Sequence, residues 1–122
     1  MNFGEILGGL RADGDARTVH VPADWAQGRT MFGGLQVALA LRAIRDALEA
    51  TRGVPLRSLH ATFIGPVAAG ADVHLAPRLL RQGRSATHAH CDLYSGGELG
   101  CMVTAIFGAA RPSAISIEAR KA

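Results

Sequence analysis

A glycine pair, Gly33-Gly34, is the feature of this sequence that most directly suggests chemistry. It opens a predicted helix, and the first backbone N–H groups of a helix have no partner within the helix. Such groups can stabilise the negative charge that develops on a carbonyl oxygen when water attacks the carbonyl carbon. The alternative is that the glycines serve only a tight entry into the helix. Gln36 follows within the first turn and could orient a water or bind the carbonyl. Its alternative role is a hydrogen bond to a neighbouring backbone group or a polar contact across a dimer.

Two further side chains are candidates for activating a water molecule. Asp24 lies in the loop before the helix, and hydrolysis by general-base catalysis needs a carboxylate or imidazole within reach of the water. Its alternative role is to stabilise a turn in Pro-Ala-Asp-Trp. His60 shares one face of a predicted strand with Thr62 and could act as base if that face met a partner's helix. The alternative places His60 on the outer face of a sheet.

Histidines on neighbouring predicted strands raise the question of a metal site. His74, His88, His90 and Asp92 alternate along two strands, but their spacing matches no recognised set of metal ligands. Cys91 points to the other face. The pattern therefore favours a polar, solvated sheet face, and we expect neither a metal nor any other cofactor.

Arg84-Ser85 follows a tight turn that is predicted at Gln82-Gly83. Arginine pairs bidentately with phosphate groups, so this position suits an anionic ligand. The alternative is an exposed charge on a turn.

Composition restricts the class of protein. The 122 residues suit a single domain over 1–122, and the net charge of +3 is spread over scattered arginines. With few aromatic residues and no basic run, nucleic-acid binding is not expected, whereas a small anionic ligand is. The two cysteines, Cys91 and Cys101, are expected to be reduced, as in a cytoplasmic protein. The first residues lack a charged region followed by an apolar run, so no signal peptide is expected, and no apolar stretch reaches about 18 residues, so no membrane segment is expected.

A long helix over residues 32–51 must position the glycine pair. Gly53 and Pro55 end it by the usual glycine-then-proline signal. Up to Arg42 the helix is apolar nearly all round, and Gln36 is the only polar side chain in that part of it. A helix of this kind is expected to be buried on every side, so another element must wrap around it.

The rest of the chain predicts that element. Upstream of the helix we expect a short amphipathic helix, a strand and a polar loop, over Asn2–Leu10, Thr18–Val21 and Ala23–Thr30. Downstream we expect four strands joined by short turns, over Leu56–Ile64, Asp72–Arg81, Ala86–Tyr94 and Leu99–Phe107. The last strand is apolar on both faces, which is typical of a central strand or one buried in an interface. The tail over 112–122 is short and polar and is expected to be mobile.

This order predicts an α+β fold, in which one curved antiparallel sheet wraps around one central helix. That architecture is the hotdog fold, here as a single domain. Because bare sheet edges are costly, we expect two copies to join their sheets in a homodimer, or to assemble further into a tetramer.

The same segments carry a family pattern. Met31-Phe32-Gly33-Gly34 resembles the Val-Phe-Gly-Gly element of TesB-type acyl-CoA thioesterases (acyl-CoA thioesterase II). The run from Ser58 to Pro66 resembles that family's Ser-Phe-His-x-x-Phe-x-x-Pro strand, and Arg81-Gln82-Gly83-Arg84-Ser85 resembles its Arg-x-Gly-x-Ser hairpin. Residues 102–107 resemble its final strand. The motifs occur in the family's order and spacing, from about residue 31 to 108.

The resemblance implies hydrolysis of acyl-CoA thioesters to a free acid and CoA at a homodimer interface. The thioester carbonyl would be polarised by Gly33 and Gly34. Water would be activated by a polar side chain, in declining order of expectation Asp24, His60 or Gln36. The CoA phosphates would be bound by Arg84 and Ser85.

One departure from the family supports an alternative function. The family's members are usually double hotdogs, and an Asp, a Thr and a Gln of the second half hold their catalytic water. On a rough alignment, Ser58 falls near the aspartate position and Ile106 at the glutamine position. The alternative is therefore a non-catalytic subunit that binds acyl-CoA or regulates a partner. A hydratase-type hotdog is a weaker third reading, since its usual helix-side Asp and His are not found.

Overall fold

The computed structural model of the chain describes residues 2–27, 30–31 and 33–108. Its α-helices are α1 (Phe3–Gly8) and α2 (Gly33–Ala47), and single 3-10 turns lie at Ala23–Trp25 and Glu49–Thr51. Its strands are β1 (Arg11–Asp13), β2 (Ala16–Val21), β3 (Ala26–Gln27), β4 (Thr30–Met31), β5 (Leu56–Phe63), β6 (Ala71–Gln82), β7 (Thr87–Ser95) and β8 (Glu98–Phe107). The predicted starting residue of the long helix, Phe32, and the predicted tail over 112–122 lie outside the described residues.

Six of these strands form one antiparallel sheet in the order β1-β2-β6-β7-β8-β5. The four strands predicted after the helix are confirmed, and β8 is an interior strand between β7 and β5, as its apolar faces predict. Sequence analysis missed β1, which forms because Gly14 adopts a positive φ of 63° and lets Asp13 pair with Ala16 across a two-residue turn. The predicted polar loop also contains the two-stranded β3–β4 ribbon.

The α2 helix packs against one face of this sheet, which we call the inner face. Alternate residues of the central strands are buried there, and cross-strand partners share a face. On β7 and β8 the buried inner-face residues are Thr87, Ala89, Cys91, Leu93, Cys101, Val103, Ala105 and Phe107. The opposite, outer face carries the polar residues of the same strands. An α+β hotdog architecture is therefore confirmed.

Burial of α2 differs from the prediction. Its buried residues form a single stripe: Leu35, Gln36, Leu39, Ala40, Ala43 and Ile44. Val37, Ala38 and Leu41 are only half-buried, because one sheet covers one side of the helix. The expectation that a single chain buries this helix on every side is wrong.

The helix is also shorter than predicted. It ends at Ala47, and Leu48 adopts an extended conformation with φ −110° and ψ 98°. The chain then makes a 3-10 turn in which the Thr51 hydroxyl donates to the Leu48 carbonyl at 2.8 Å. Arg45 donates to the carbonyl of Val54 at 2.9 Å and holds the segment after the turn against the helix.

The predicted amphipathic helix near the N-terminus is confirmed as α1, over a shorter range. A capping box starts it: the Asn2 side chain accepts from the backbone N–H of Glu5 at 2.8 Å, and the Glu5 carboxylate accepts from the N–H of Asn2 at 3.1 Å. Ile6 is its buried residue and anchors the helix to the core.

The strand β5 forms one edge of the sheet. The N–H of Ile64 donates to the Gly100 carbonyl at 2.8 Å. In an antiparallel pair every second residue of a strand faces the same neighbour, so the backbone groups of Thr62, and of every second residue before it in β5, also face β8. The N–H and C=O groups of Leu59, Ala61 and Phe63 therefore point away from β8, toward the open side of the sheet. No helix among the described residues is long and apolar enough to span a membrane.

Candidate functional site

The start of α2 is the centre of the candidate site. Gly33 is its first residue and Gly34, the second, is exposed. A Cβ atom added to Gly33 would lie 2.9 Å from the Cζ atom of Phe63. Phe63, on the inner face at the end of β5, thus contacts the helix start. Any residue larger than glycine at position 33 would require the ring to move. The leading N–H groups of α2 face the end of the sheet at which β5 and β7 end and β6 and β8 begin.

Gln36 lies within the first turn of α2. It is 5% exposed and belongs to the buried stripe of the helix. The structure therefore places this candidate in the interior, next to the start of α2.

Asp24 lies at the same end of the sheet. It is exposed, within the 3-10 turn that follows β2. Its neighbour Ala23 packs against Gly70, whose N–H donates to the Val21 carbonyl where β2 ends and β6 begins. The structure therefore places Asp24 at the end of the sheet at which α2 starts, but beside β2, whereas Gly33 contacts β5 at the opposite edge of the sheet.

His60 lies on the other side of the sheet. It pairs with Thr104 across β5 and β8, and the Thr104 hydroxyl is hydrogen-bonded to His90 on the outer face. Phe63, which contacts the helix start, is on the inner face. Within one chain the sheet separates His60 from α2.

Among the outer-face histidines, His90 is 7% exposed and forms hydrogen bonds with side chains of β7 and β8. Its Nε2 atom lies 2.7 Å from Asp92 Oδ1 and its Nδ1 atom 3.0 Å from Thr104 Oγ1. Since a carboxylate only accepts, Nε2 carries the proton in neutral His90 and the Thr104 hydroxyl donates to Nδ1. The network ties β7 to β8. Within residues 2–27, 30–31 and 33–108, no three His, Cys, Asp or Glu side chains are grouped to hold a metal ion.

Both cysteines are buried and free on the inner face. Burial, followed by the nearby charge of Asp92, raises the pKa of Cys91 to about 12. Burial also raises the pKa of Cys101. Both thiols stay protonated at neutral pH and are poor nucleophiles, because the thiolate is the reactive form.

Arg84 and Ser85 lie at the opposite end of the sheet from Gly33. They belong to the four-residue loop between β6 and β7, which is longer than the predicted tight turn and is closed by a hydrogen bond from Gly83 N–H to the Ala86 carbonyl at 2.8 Å. The loop borders a cavity of about 400 Å³ whose floor includes Phe107. At about 3.3 Å per residue, the nine residues of β7 separate this loop from the helix start by roughly 25–30 Å. One chain does not bring the two predicted parts of the site together.

Sequence analysis missed the contact of Phe63 with Gly33. It included this residue in the predicted strand over Leu56–Ile64 and gave it no role in the site. A large aromatic residue that ends such a strand, 30 residues after a glycine-led helix, was the available signal. Spacing alone cannot tell which strand end meets the helix start.

A family match decides the relationship of this chain to known proteins. The profile of a family described as "Acyl-CoA thioesterase N-terminal domain" matches residues 21–109, most of the chain. The chain belongs to this family. The TesB-type resemblance found in the motifs is thereby confirmed.

Solved structures agree with this acyl-CoA thioesterase domain in fold. A conserved hotdog protein of unknown function from Alicyclobacillus acidocaldarius is 28% identical, with a TM-score of 0.79 over 91% of this chain and 40% of its own. An acyl-CoA thioesterase II from Mycobacterium marinum is 19% identical, with a TM-score of 0.74 over 93% of this chain and 40% of its own. A mutant of the phenylacetic acid degradation protein PaaI from Thermus thermophilus is 27% identical, with a TM-score of 0.69 over 88% of this chain and 98% of its own.

The chain spans about 40% of the length of the first of these relatives and of the Mycobacterium marinum enzyme. It matches PaaI over nearly the whole of that shorter protein. No curated protein sequence matches the chain.

Proposed function

We propose that this chain hydrolyses acyl-CoA thioesters to a free acid and CoA, in a site formed between two copies of the chain. The observation that carries the proposal is the meeting of a glycine-led helix start with the end of an open strand edge, in a chain of the acyl-CoA thioesterase family. Each part of the site has a role that follows from its chemistry.

The backbone N–H groups at Gly33 and Gly34 polarise the thioester carbonyl. Attack by water places a negative charge on the carbonyl oxygen, and donors fixed at a helix start stabilise that charge more than the neutral ground state. The exposure of Gly34 leaves room for a carbonyl to approach.

Asp24 is the proposed general base. Its carboxylate is exposed at the end of the sheet where α2 begins, and it takes a proton from the attacking water. Gln36, buried one turn into the helix, orients the water or the carbonyl. His60 is not assigned a role in the same chain, because the sheet lies between it and α2.

The second copy joins at β5. The outward N–H and C=O groups of Leu59, Ala61 and Phe63 can pair with the same strand of a partner, in antiparallel orientation about a two-fold axis. Leu59 and Phe63 are 36% and 55% exposed in the single chain, so pairing removes apolar surface from water. The half-buried side of α2, with Val37 and Leu41, is the other apolar surface that a partner can cover.

This symmetry completes the site. A two-fold axis perpendicular to the sheet reverses the direction of the partner's strands and of its α2. The loop that carries the partner's Arg84 and the partner's Ser85 then lies at the end of the joined sheet where this chain's helix starts. An extended ligand can reach from the thioester site to the cationic loop, whose arginine pairs with the CoA phosphates.

Thiol release from short, medium, long and aromatic acyl-CoAs tests the proposal. The wild-type protein is compared with Gly34→Pro, which removes one N–H donor at a position in the first helical turn that tolerates proline, and with Gly34→Ala, which retains the donor. We expect turnover by the wild type, a loss of about 10²–10³-fold in Gly34→Pro, and most of the activity in Gly34→Ala. Absence of thiol release by the wild type from the whole panel would contradict the proposal.

A non-catalytic acyl-CoA-binding subunit is the second candidate. Ser58 and Ile106 stand opposite each other in β5 and β8, and neither side chain can replace the Asp or Gln of the family's second half. The chain also spans only about 40% of its double-length relatives. Measurable affinity for acyl-CoA without thiol release would favour this function.

A further inference from the structure

Arg57 is an extra residue in the edge strand β5. Leu56 and Ser58, on either side of it, pair with two successive residues of β8, so Arg57 itself has no partner and forms a β-bulge. A bulge disrupts the strand pairing locally and redirects the side chain that it carries. The direction of the Arg57 side chain is therefore set by its own contacts and not by the regular alternation of the strand.

One hydrogen bond fixes the place of the Arg57 guanidinium. Its Nε atom donates to the carbonyl of Gly108, the residue that follows β8, at 2.8 Å. Because β8 is the interior neighbour of β5, this bond draws the guanidinium toward the middle of the sheet and away from the edge at which the second copy pairs. Gly108 also lines the cavity of about 400 Å³ that Arg84 borders. Arg57 thus reaches this cavity from the β5 side, and Arg84 reaches it from the β6–β7 loop.

The guanidinium groups of Arg57 and Arg84 are available to an anion. Within the part of the chain that the structure describes, neither forms an ion pair, and the hydrogen bond to Gly108 leaves both terminal nitrogens of Arg57 unused. Two terminal N–H groups side by side match two oxygens of a phosphate. Arg45, the other arginine beside the cavity, is already engaged, since it donates to backbone carbonyls and lies over the ring of Phe107 at 4.6 Å.

The order of the groups along CoA matches the order of these two arginines along the end of the sheet. In the proposed dimer, the thioester lies at the helix start of the second copy, beside the joined β5 strands. A ligand that extends from there across the end of the sheet meets β5 first. It meets the β6–β7 loop two to three strands further on, roughly 12 Å away at about 4.8 Å per strand. In CoA the pantetheine arm leads from the sulfur to the diphosphate, and the 3′-phosphate of the ribose follows.

We propose that Arg57 binds the diphosphate of CoA and that Arg84 binds its 3′-phosphate. This inference rests on the proposed thioesterase function and adds a binding residue and a substrate class to it. Two separated cations distinguish ligands by the number and the position of their phosphates. The substrates are therefore thioesters of complete CoA, in preference to thioesters of pantetheine.

Three thioesters with the same acyl group test this inference: acyl-CoA, acyl-dephospho-CoA, which lacks the 3′-phosphate, and acyl-pantetheine, which lacks every phosphate. Values of kcat/KM are measured with the wild type, Arg57→Gln and Arg84→Gln. We expect Arg57→Gln to lower kcat/KM about tenfold or more for both nucleotide thioesters and to leave the value for acyl-pantetheine unchanged. Arg84→Gln should lower the value for acyl-CoA alone, so that the preference for acyl-CoA over acyl-dephospho-CoA disappears.

Acyl-pantetheine reports on the fold, the dimer and the reacting groups without any phosphate contact. Equal losses for acyl-pantetheine and acyl-CoA in Arg57→Gln would overturn the assignment of Arg57, and so would the absence of any loss or a loss confined to acyl-CoA. Arg11→Gln makes the same change in charge at the β1 edge and should alter none of the three values.

Binding separates this inference from the thioesterase proposal. If the wild type releases no thiol, the thioesterase proposal fails, and calorimetry with CoA and dephospho-CoA decides the role of Arg57. A rise in Kd of about tenfold or more for both ligands in Arg57→Gln would support phosphate binding by this residue. Equal affinities of wild type and Arg57→Gln would overturn it.

Discussion

The two edges of the sheet differ in length, exposure and charge. The β1 edge has three residues, Arg11, Ala12 and Asp13, all exposed and two of them charged. The β5 edge has eight residues and presents Leu59 and Phe63 to solvent, with Ile64 just beyond its end. Short strands and charged side chains are devices that protect a sheet edge against pairing, whereas a long edge with apolar residues is suited to it.

The sheet is protected against further strand pairing at β1 and open to it at β5. At β1 the sheet ends by itself, with a two-residue turn at Gly14 and Asp15. At β5 the sheet stops with outward backbone groups, next to the helix start that carries the candidate chemistry. We therefore propose that both the dimer contact and the thioester site lie on the β5 side, and the three residues of β1 supply matched controls.

Asp24→Asn is expected to have the largest effect. If the carboxylate removes a proton from water, kcat falls about 10²–10⁴-fold, because the amide is not a base. The measurement is thiol release at saturating acyl-CoA. Asp13→Asn, the same change at the β1 edge, should retain wild-type activity. Equal rates for Asp24→Asn and wild type would remove Asp24 from the mechanism.

Leu59→Glu is expected to weaken dimerisation. A two-fold interface brings both copies of the new carboxylate to the joined edge, and like charges at an interface cost several kcal/mol, which corresponds to a rise of roughly 100-fold in the dimer Kd. Sedimentation velocity over a concentration series measures this change, and Ala12→Glu at the β1 edge is the control. A dimer that dissociates with Ala12→Glu and not with Leu59→Glu would show that the dimer forms at the β1 edge and not at the β5 edge.

Arg84→Glu tests the cationic loop. Replacing a cation that pairs with phosphate by an anion should raise KM for acyl-CoA about tenfold or more with a smaller change in kcat, since the phosphates are remote from the reacting carbonyl. Arg11→Glu, an exposed arginine of β1, makes the same change in net charge and should leave KM near its wild-type value. A similar rise in KM for both variants would indicate an effect of overall charge.

Replacement of Cys91, in the core between the two edges, is expected to have the smallest effect, on the pH dependence of stability. Burial raises the pKa of Cys91 from 9.0 to about 12, so in this range the unfolded chain releases a proton that the folded chain retains. The free energy of unfolding contributed by this thiol should fall by about 1.4 kcal/mol per pH unit between these values. Denaturant titrations of wild type and Cys91→Ala at pH 8 to 11 measure the difference in slope. A slope unaffected by Cys91→Ala would contradict the assigned burial.

Periodicity allowed most of the fold to be predicted from the sequence. The four downstream strands follow from alternation and turn residues, whereas the pairing of β5 with β8 rather than with β6 does not. The strand β1 was missed because three exposed residues carry no alternation. The end of α2 was missed because Leu48 and Glu49 are ordinary helix residues, and tertiary contacts made by Arg45 decide the break.

The candidate site was less predictable. The glycine pair and Asp24 could be identified because their chemistry depends on local features, namely a helix start and the loop before it. Contacts distant in sequence, such as Phe63 against Gly33, depend on which strand ends meet the helix. The separation of Arg84 from Gly33 by the length of the sheet could not be read from motifs in sequence order.

A mixing experiment tests the central claim that two copies of the chain form each site. Gly34→Pro damages the helix start and Arg84→Glu the phosphate-binding loop, so each variant alone should have low activity with dilute acyl-CoA. If each site combines one chain's helix start with its partner's loop, a mixed dimer contains one intact site. Equal mixing with exchange of chains should then recover roughly a quarter of wild-type activity, because half of the dimers are mixed and each has one of two sites intact. Activity in the mixture no greater than the mean of the separate variants, with chain exchange verified by mass, would contradict the account.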